Sequence, residues 1–409
     1  MDVVETVIVG GGQAGLAMSY CLTQLGVEHV IVERARVAER WRTGRWDSLM
    51  FQFPNYSIEL PGRAYAGSNP DGFSHKDEVV SFLEDYCASI RAPIRTGVNV
   101  LSIRPAPQPG RYEVVTDHGN LVARNVVIAT GPHQRPRTSP FSAGLSTGVV
   151  QLYANEYRNP DALPTGGVLV VGSGNSGCQI AEELLESGRR VYLAVGRHRR
   201  APRRYRGQDM YWWRRALGLL DQTVDAFPQG RRRRAPLVTG VRGGHDVDIR
   251  HYASLGMTLL GHVRDIRDGR VAFAPDLEET LRDGDKSFAE FTLAADEYIR
   301  TSNMRADFPQ SEVTPSQSTV TLRAIDQIDV RSEKIGTVLW ATGYTFDFEW
   351  VKLPIFDERG TPIQRRGVTA LSGIFFLGLR WLYKQKSSFL YGVGEDAEYL
   401  AAQIADGDD

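Results

Sequence analysis

The sequence predicts an α/β fold in which one strand–loop–helix unit is inserted into another, and three observations carry that prediction. An apolar strand, Val7-Ile8-Val9, runs into Gly10-Gly11-Gly12-Gln13-Ala14-Gly15, the spacing G-x-G-x-x-G. The same signature returns as Val168-Leu169-Val170-Val171 followed by Gly172-Ser173-Gly174-Asn175-Ser176-Gly177. Two further apolar strands close in Ala129-Thr130-Gly131 and Ala341-Thr342-Gly343, and these bracket the second signature. The expected organisation is therefore a first unit over 1–160, an inserted unit over 161–325 with a helical insertion at about 203–260, and completion of the first unit over 326–409.

Each glycine has a separate job. Gly10 and Gly172 make the tight turn, while Gly12 and Gly174 let the backbone approach a pyrophosphate. Gly15 and Gly177 pack the helix on the strand. The helix N-terminus behind each loop offers N–H donors and about half a positive charge. Both units thus read as Rossmann-like dinucleotide-binding domains. The spacing from Gly10 to Gly26 matches that from Gly172 to Gly188, so the two superpose without a gap.

The ends of the second strands separate the ligands. Val30-Ile31-Val32 leads to Glu33, with Arg34 beside it, and a carboxylate there can accept hydrogen bonds from a ribose diol. That site reads as FAD or NAD. In the second unit Tyr192-Leu193-Ala194 leads to Val195, and Arg197, Arg199, Arg200 and Arg203 follow. Loss of the acid and gain of arginines suits a phosphorylated ribose, hence NADP.

Between the two signatures lies an aromatic, loop-rich stretch from Trp41 to Gly62. Ser74-His75-Lys76-Asp77 then has the [ST]-x-x-[DE] pattern of a helix start, continuing from Val79 to Ile90. Strands are expected near Val98–Ile103, Tyr112–Thr116 and Val126–Ile128, with a linker from Pro160 to Gly167. An aromatic helix from about Gly207 to Asp221 carries Met210, Tyr211, Trp212 and Trp213, and the last helix runs from about Val393 to Ile404. If the first site holds FAD, the two Ala-Thr-Gly segments and the helix start at Gly392–Asp396 are expected to surround the flavin, with the helix dipole favouring charge on its reduced ring.

Bulk properties exclude several classes. With 48 basic and 49 acidic residues the net charge is −1, which marks neither a nucleic-acid binder nor a membrane-surface binder. The Arg231–Arg234 run between Pro228 and Pro236 reads as a solvated loop. Three separated cysteines, Cys21, Cys87 and Cys178, contain no C-x-x-C, and eight scattered histidines show no metal spacing. The N-terminus reads as a buried strand rather than a signal peptide, no apolar run is long enough to span a membrane, and a cytoplasmic location is expected.

The full set of motifs resembles the class B flavin monooxygenases, most closely the bacterial members labelled flavoproteins involved in K+ transport. The residues that carry the likeness are Gly10–Gly15, Glu33, Trp41, Asn55 to Gly62 (NYSIELPG), Ala129–Pro132, Gln151 to Pro160, Gly172–Gly177, Pro202 to Gly207 (PRRYRG), Ala341–Tyr344 and Ser387 to Ala397. The resemblance implies tightly held FAD, NADPH as electron donor, O2 as co-substrate, and oxygenation through an FAD C4a-hydroperoxide of a small organic molecule, aromatic or nitrogen-containing. It also implies Gln52 and Asn55 as the polar groups nearest the flavin face. Tyr153, in the stretch Ser146 to Tyr157, stands where related bacterial sequences have histidine, and is the third candidate catalytic residue. Trp212, Trp213, Trp381, Tyr383, Phe389 and Tyr391 are the candidate pocket wall, with Trp212 and Trp213 read at least as readily as core of a helical subdomain. Among cofactor contacts the likeness adds Asp396 to the glycine loops, Glu33 and the arginines. A homodimer is compatible with this reading. The alternatives are an FAD-dependent NADPH oxidase or reductase releasing H2O2, and a non-catalytic flavin-binding regulator.

Overall fold

The computed structural model describes residues 2–145, 148–227, 234–302 and 322–407. Its strands form two main sheets, each built around one glycine loop. In the first, parallel strands lie in the order Ile374–Phe376, Leu121–Ile128, Asp2–Val9, His29–Glu33 and Ile94–Thr96. Antiparallel strands at Val100–Pro105, Tyr112–Thr116, Gln364–Arg365 and Val368–Thr369 extend it to nine strands. Val7, Ile8, Ile31 and Val126 to Ile128 are buried, which is why the central strands read as unbroken apolar runs. Helices Gln13–Gln24 and Leu390–Asp406, from opposite ends of the chain, pack against one another.

The second sheet has five parallel strands in the order Thr258–Leu260, Val191–Ala194, Gly167–Val171, Ile335–Trp340 and Val150–Tyr153. This corrects the expected boundaries: Val150–Tyr153 precedes residue 161 and Ile335–Trp340 follows residue 325, yet both are strands of the inserted sheet. The second Ala-Thr-Gly segment moves with them. Val9 pairs in register with Ile128, and Val171 with Trp340, so each glycine loop stands beside one such segment. Gly10 has φ +116° and a Cβ there would sit 2.7 Å from Ala129 O; Gly172 has φ +108° and its Cβ would sit 2.6 Å from Ala341 O. Each segment therefore packs against the glycine loop of its own sheet.

Several local expectations shift. The third helix spans Lys76–Ser89 with His75 as its N-cap, one residue beyond Ser74: Asp77 N donates to His75 Nδ1 at 3.3 Å, and His75 N donates to Glu78 Oε2 at 2.7 Å. The expected insertion contains a hairpin at 204–209 and short helices Met210–Ala216 and Ile249–Ser254, while Thr258–Leu260 belongs to the sheet. Trp213 is fully buried there and donates to Tyr205 O at 2.8 Å, while the partly buried Trp212 packs edge-on to it at 5.0 Å, and neither lines the cleft. A 25-residue helix, Leu277–Thr301, was not anticipated. It buries Leu281, Phe288, Phe291, Ala295 and Ile299 on one face.

Candidate active site

The two glycine loops open onto one cleft of about 920 Å³. At its first end, Glu33 closes the strand His29–Glu33 and its carboxylate is held by two backbone donors, Gly11 N at 2.7 Å and Ala35 N at 3.0 Å. Gly11 is required for this approach, since a Cβ there would lie 3.0 Å from Glu33 Cβ. A Cβ on Gly12 would meet nothing within 4 Å, because it would point into open space. The loop backbone is thus bare on the cleft side, as a pyrophosphate requires. Gln13 ties three segments together: its Nε2 donates to Ser388 O at 2.7 Å, and its Oε1 accepts from Trp41 Nε1 at 3.2 Å. Ser388, Phe389 and Leu390 bring the start of helix Leu390–Asp406 to the same cleft.

The second end repeats the arrangement. Gly174, like Gly12, would carry a Cβ into open space. Asn175 donates to Gln52 Oε1 at 3.2 Å and accepts from Val238 N at 3.1 Å, so the Gln52 side chain from the first unit reaches the helix start of the second. Val195 is buried, and two exposed arginines, Arg197 and Arg234, line the cleft nearby, with Arg234 Nη1 donating to Arg197 O at 2.7 Å. Arg234 was expected in a solvated loop and instead faces the cleft; Arg231 to Arg233 lie outside the described residues, as do Ser146 and Thr147 of the stretch before Tyr153.

Gly10, Gly12, Gln13, Ala14, Glu33, Arg34, Trp41, Gln52, Ala129, Thr130, Gly131, Tyr153, Gly174, Asn175, Ser176, Arg197, Ala341 and Gly343 all line this cleft. Tyr153 ends its strand there and donates to Thr138 Oγ1 at 3.2 Å. Gly15 and Gly177 stand behind the loops, where a Cβ would collide with the carbonyl oxygens of Gly10 and Gly172 at 1.9 Å. Trp381 and Phe389 of the expected pocket wall line the cleft, and Phe51 and Phe53 join them; Tyr383 and Tyr391 do not line it.

Five expected site residues are placed elsewhere. Asn55 is buried in its own loop, its Nδ2 donating to Asn69 O at 2.9 Å, so it is not presented to the cleft. Arg203 is buried and consumed by Asp209 at 2.8 Å and by the Gln52 carbonyl at 2.8 Å. Arg199 pairs with Glu290 at 3.3 Å and faces a smaller cavity. Thr342 Oγ1 donates to Arg137 O at 2.7 Å. Asp396 is buried within the last helix, 3.8 Å from Arg366, and burial pushes its carboxyl up to about 6.

A cationic group at the centre of the cleft was missed. Arg40, Arg45 and Arg380 line it together with His133 and Tyr344. Arg40 donates to Gln134 O at 2.8 Å, Arg45 lies 5.5 Å over the Trp41 ring, and Arg380 Nη2 bonds His133 Nε2 at 2.6 Å. Burial, reinforced by the three guanidiniums, holds His133 well below its ordinary range, so it is a neutral acceptor for Arg380. Such a cluster suits phosphates of a nucleotide crossing the cleft. Arg45 lies within the aromatic stretch, and nothing in its local sequence marks it; only the fold brings it to Arg380.

All three cysteines are buried and free, and burial raises their thiols, Cys21 to about 12, so none can serve as an accessible redox dithiol.

Known proteins agree with this architecture. Residues 7–212, just over half of the 409-residue chain, match the family described as pyridine nucleotide-disulphide oxidoreductase. A CzcO-like oxidoreductase of Geobacillus kaustophilus (strain HTA426) is 34% identical over 98% of both chains. The indole-3-pyruvate monooxygenase YUCCA1 of Oryza sativa subsp. japonica is 32% identical over 46% of this chain and 47% of its own. The solved structure of a flavin-containing monooxygenase from Stenotrophomonas maltophilia shares the mixed α/β fold over 100% of both chains, with TM-score 0.67 at 20% identity. The chain belongs to the pyridine nucleotide-disulphide oxidoreductase family, among its CzcO-like oxidoreductases and on the side of the class B flavin monooxygenases.

Proposed function

We propose that the protein is an FAD- and NADPH-dependent monooxygenase that oxygenates a small organic molecule held between its two nucleotide-binding domains, the NADPH domain being inserted into the FAD domain. The observation that carries this reading is the single cleft onto which both bare glycine loops open, with Glu33 at one end and Arg197 and Arg234 at the other. FAD reduced by NADPH supplies the two electrons that split O2 between the substrate and water. The chain's own residues bind and orient. Glu33 offers a carboxylate to an unphosphorylated adenosine ribose, and the N-terminus of helix Gln13–Gln24 faces the adjoining pyrophosphate. Arg197 and Arg234 would hold the ribose phosphate of NADPH, with no acid at buried Val195 to repel it. Arg40, Arg45 and Arg380, which also line the cleft, would hold further anionic phosphate. Phe51, Phe53, Trp381 and Phe389 keep water from the reacting centre and favour a flat or apolar body.

A disulphide reductase is disfavoured because no accessible dithiol exists among the three cysteines. The decisive experiment purifies the protein, identifies the flavin released on denaturation, and follows NADPH oxidation against oxygenated product and H2O2 over amines, indoles, other aromatics and ketones. Release of FAD and a substrate-stimulated rate with product at near-equal yield is expected. Stoichiometric H2O2 with every candidate would replace this reading with an oxidase, and negligible NADPH oxidation would replace it with a flavin-binding regulator. Arg197→Ala should raise the KM for NADPH about ten- to hundredfold, with a far smaller change for NADH, by loss of one charge-assisted contact.

A further inference from the structure

Arg214, on the helix Met210–Ala216, is buried to 2% exposure, and its hydrogen bond is to Gln385 Oε1 at 2.9 Å. No carboxylate among the described residues pairs with it. The contrast with its neighbours is sharp: Arg200, equally buried, is held by Asp285 at 2.6 Å and Asp248 at 2.8 Å, and Arg203 by Asp209 at 2.8 Å. Its nearest polar companions, Tyr211 and Tyr391, are phenols that burial pushes upward, so neither supplies negative charge near neutrality. A guanidinium desolvated without a counter-charge is costly, and an anion bound beside it would offset that cost.

Its position says from where one would come. Arg214 and Gln385 line both the large cleft and a smaller cavity of about 330 Å³, as do Arg234 and Pro236. Phe53 of the cleft lining packs near Phe389, with ring centroids 5.4 Å apart, and lies 5.3 Å from Tyr211, which stands on the same helix as Arg214; Trp381 also lines the cleft. Gln385 gives its Oε1 to Arg214, and its Nε2 makes no hydrogen bond among the described residues, leaving an amide donor beside the guanidinium.

We propose that Arg214 and Gln385 receive the carboxylate of the substrate, an organic acid whose apolar or aromatic body lies against Phe53, Trp381 and Phe389. The inference rests on the monooxygenase reading and narrows it to anionic substrates. A carboxylate suits the site because a planar guanidinium can bind both its oxygens while the amide of Gln385 donates to one of them.

The test uses the FAD-loaded protein, with phenylacetate and 3-phenylpropanoate as probes and the corresponding neutral amides as controls, measured by calorimetry. Each acid should bind at least about tenfold tighter than its amide, the difference of one charge-assisted contact. Gln385→Glu places a carboxylate on Arg214 from within, in nearly the same volume, and should remove that preference. Its FAD content and NADP+ affinity should remain as in the wild type. Arg214→Met is the second variant, with the same expected loss. Acid and amide binding alike, neither binding at all, or full acid preference surviving in Gln385→Glu would each overturn the proposal. A fall in NADP+ affinity in Gln385→Glu would also overturn it, by giving Arg214 to a nucleotide phosphate. Failure here with NADPH still oxidised in a coupled reaction removes only the carboxylate; absence of any NADPH-driven reaction removes the monooxygenase reading instead.

Discussion

Single residues divide by where their partners sit in sequence. Glu33 and Arg197 line the cleft as expected from sequence, because Glu33 ends, and Arg197 stands three residues beyond, a strand that the glycine spacing locates. Arg203, Arg199 and Asn55 were misplaced because Asp209, Glu290 and Asn69, which capture them, are set by the fold and not by the motif. Asp396 shows what such capture costs. Burial raises its carboxyl to about 6 despite Arg366, which is itself held over Tyr399 at 4.0 Å. The folded state therefore binds this proton more tightly than the unfolded chain, and the stability it contributes is complete below about pH 4 and lost as pH rises through about 6. Asp396→Asn fixes the neutral form. Its stability advantage over wild type should grow by about 2 kcal/mol between pH 4 and pH 7.5, read from urea unfolding of both proteins. A difference that stays constant across that range would show that Arg366 already neutralises the buried charge.

Elements were legible where local sequence decides them. Both strand–glycine–helix units formed as their spacing predicted: Gly10, Gly15, Gly172 and Gly177 answer close contacts within their own units, while Gly12 and Gly174 leave the loop bare. The helix Leu277–Thr301 escaped notice because Gly284 and a dense run of charge interrupt its pattern. The structure explains that glycine, since a Cβ would lie 2.6 Å from His198 Nε2 as the helix passes over it. The allegiance of Ile335–Trp340 was equally hidden, being a matter of pairing with Gly167–Val171 across a long stretch of chain. The glycine roles make a paired prediction. Gly12 has φ −92° as the N-cap of its helix and open space around a Cβ, so Gly12→Ala should change the stability of the apoprotein by less than about 1 kcal/mol. It should nevertheless weaken FAD retention at least about tenfold, since its methyl stands where the pyrophosphate approaches. Gly15→Ala meets the Gly10 carbonyl at 1.9 Å and should cost the apoprotein itself about 1–3 kcal/mol. Thermal unfolding of stripped protein beside FAD titration separates the two, and equal behaviour of both variants would refute the division of labour.

At the scale of the molecule, one glycine loop from each of the two main sheets lines the cleft, together with a loop of the first unit. That loop, running through Phe51, Gln52 and Phe53, contributes aromatic wall and cross-unit contacts together. Gln52 is its junction. The side chain accepts from Asn175 at 3.2 Å, at the helix start of the second unit, and the backbone carbonyl accepts from Arg203 Nη1 at 2.8 Å. Sequence reasoning expected Gln52 at the flavin face; it lines the cleft, and its Oε1 is engaged by Asn175, a partner that a loop amide does not mark in sequence. As a tie between units, Gln52 is proposed to position the second glycine loop against the cleft. Gln52→Ala should therefore leave FAD content unchanged, because Glu33 and Gly12 do not depend on it. It should raise the KM for NADPH by about two- to tenfold, the worth of one neutral hydrogen bond, with kcat less affected. A loosened nucleotide also admits water to the reacting centre, so the fraction of NADPH appearing as H2O2 should rise in parallel with KM. Gln52→Asn, with a shorter amide, should resemble alanine, whereas Gln52→Glu should restore the acceptor and with it most of the wild-type KM. Loss of FAD in the alanine variant, or leakage of H2O2 with no change in KM, would move Gln52 from the junction of the two units to the flavin itself.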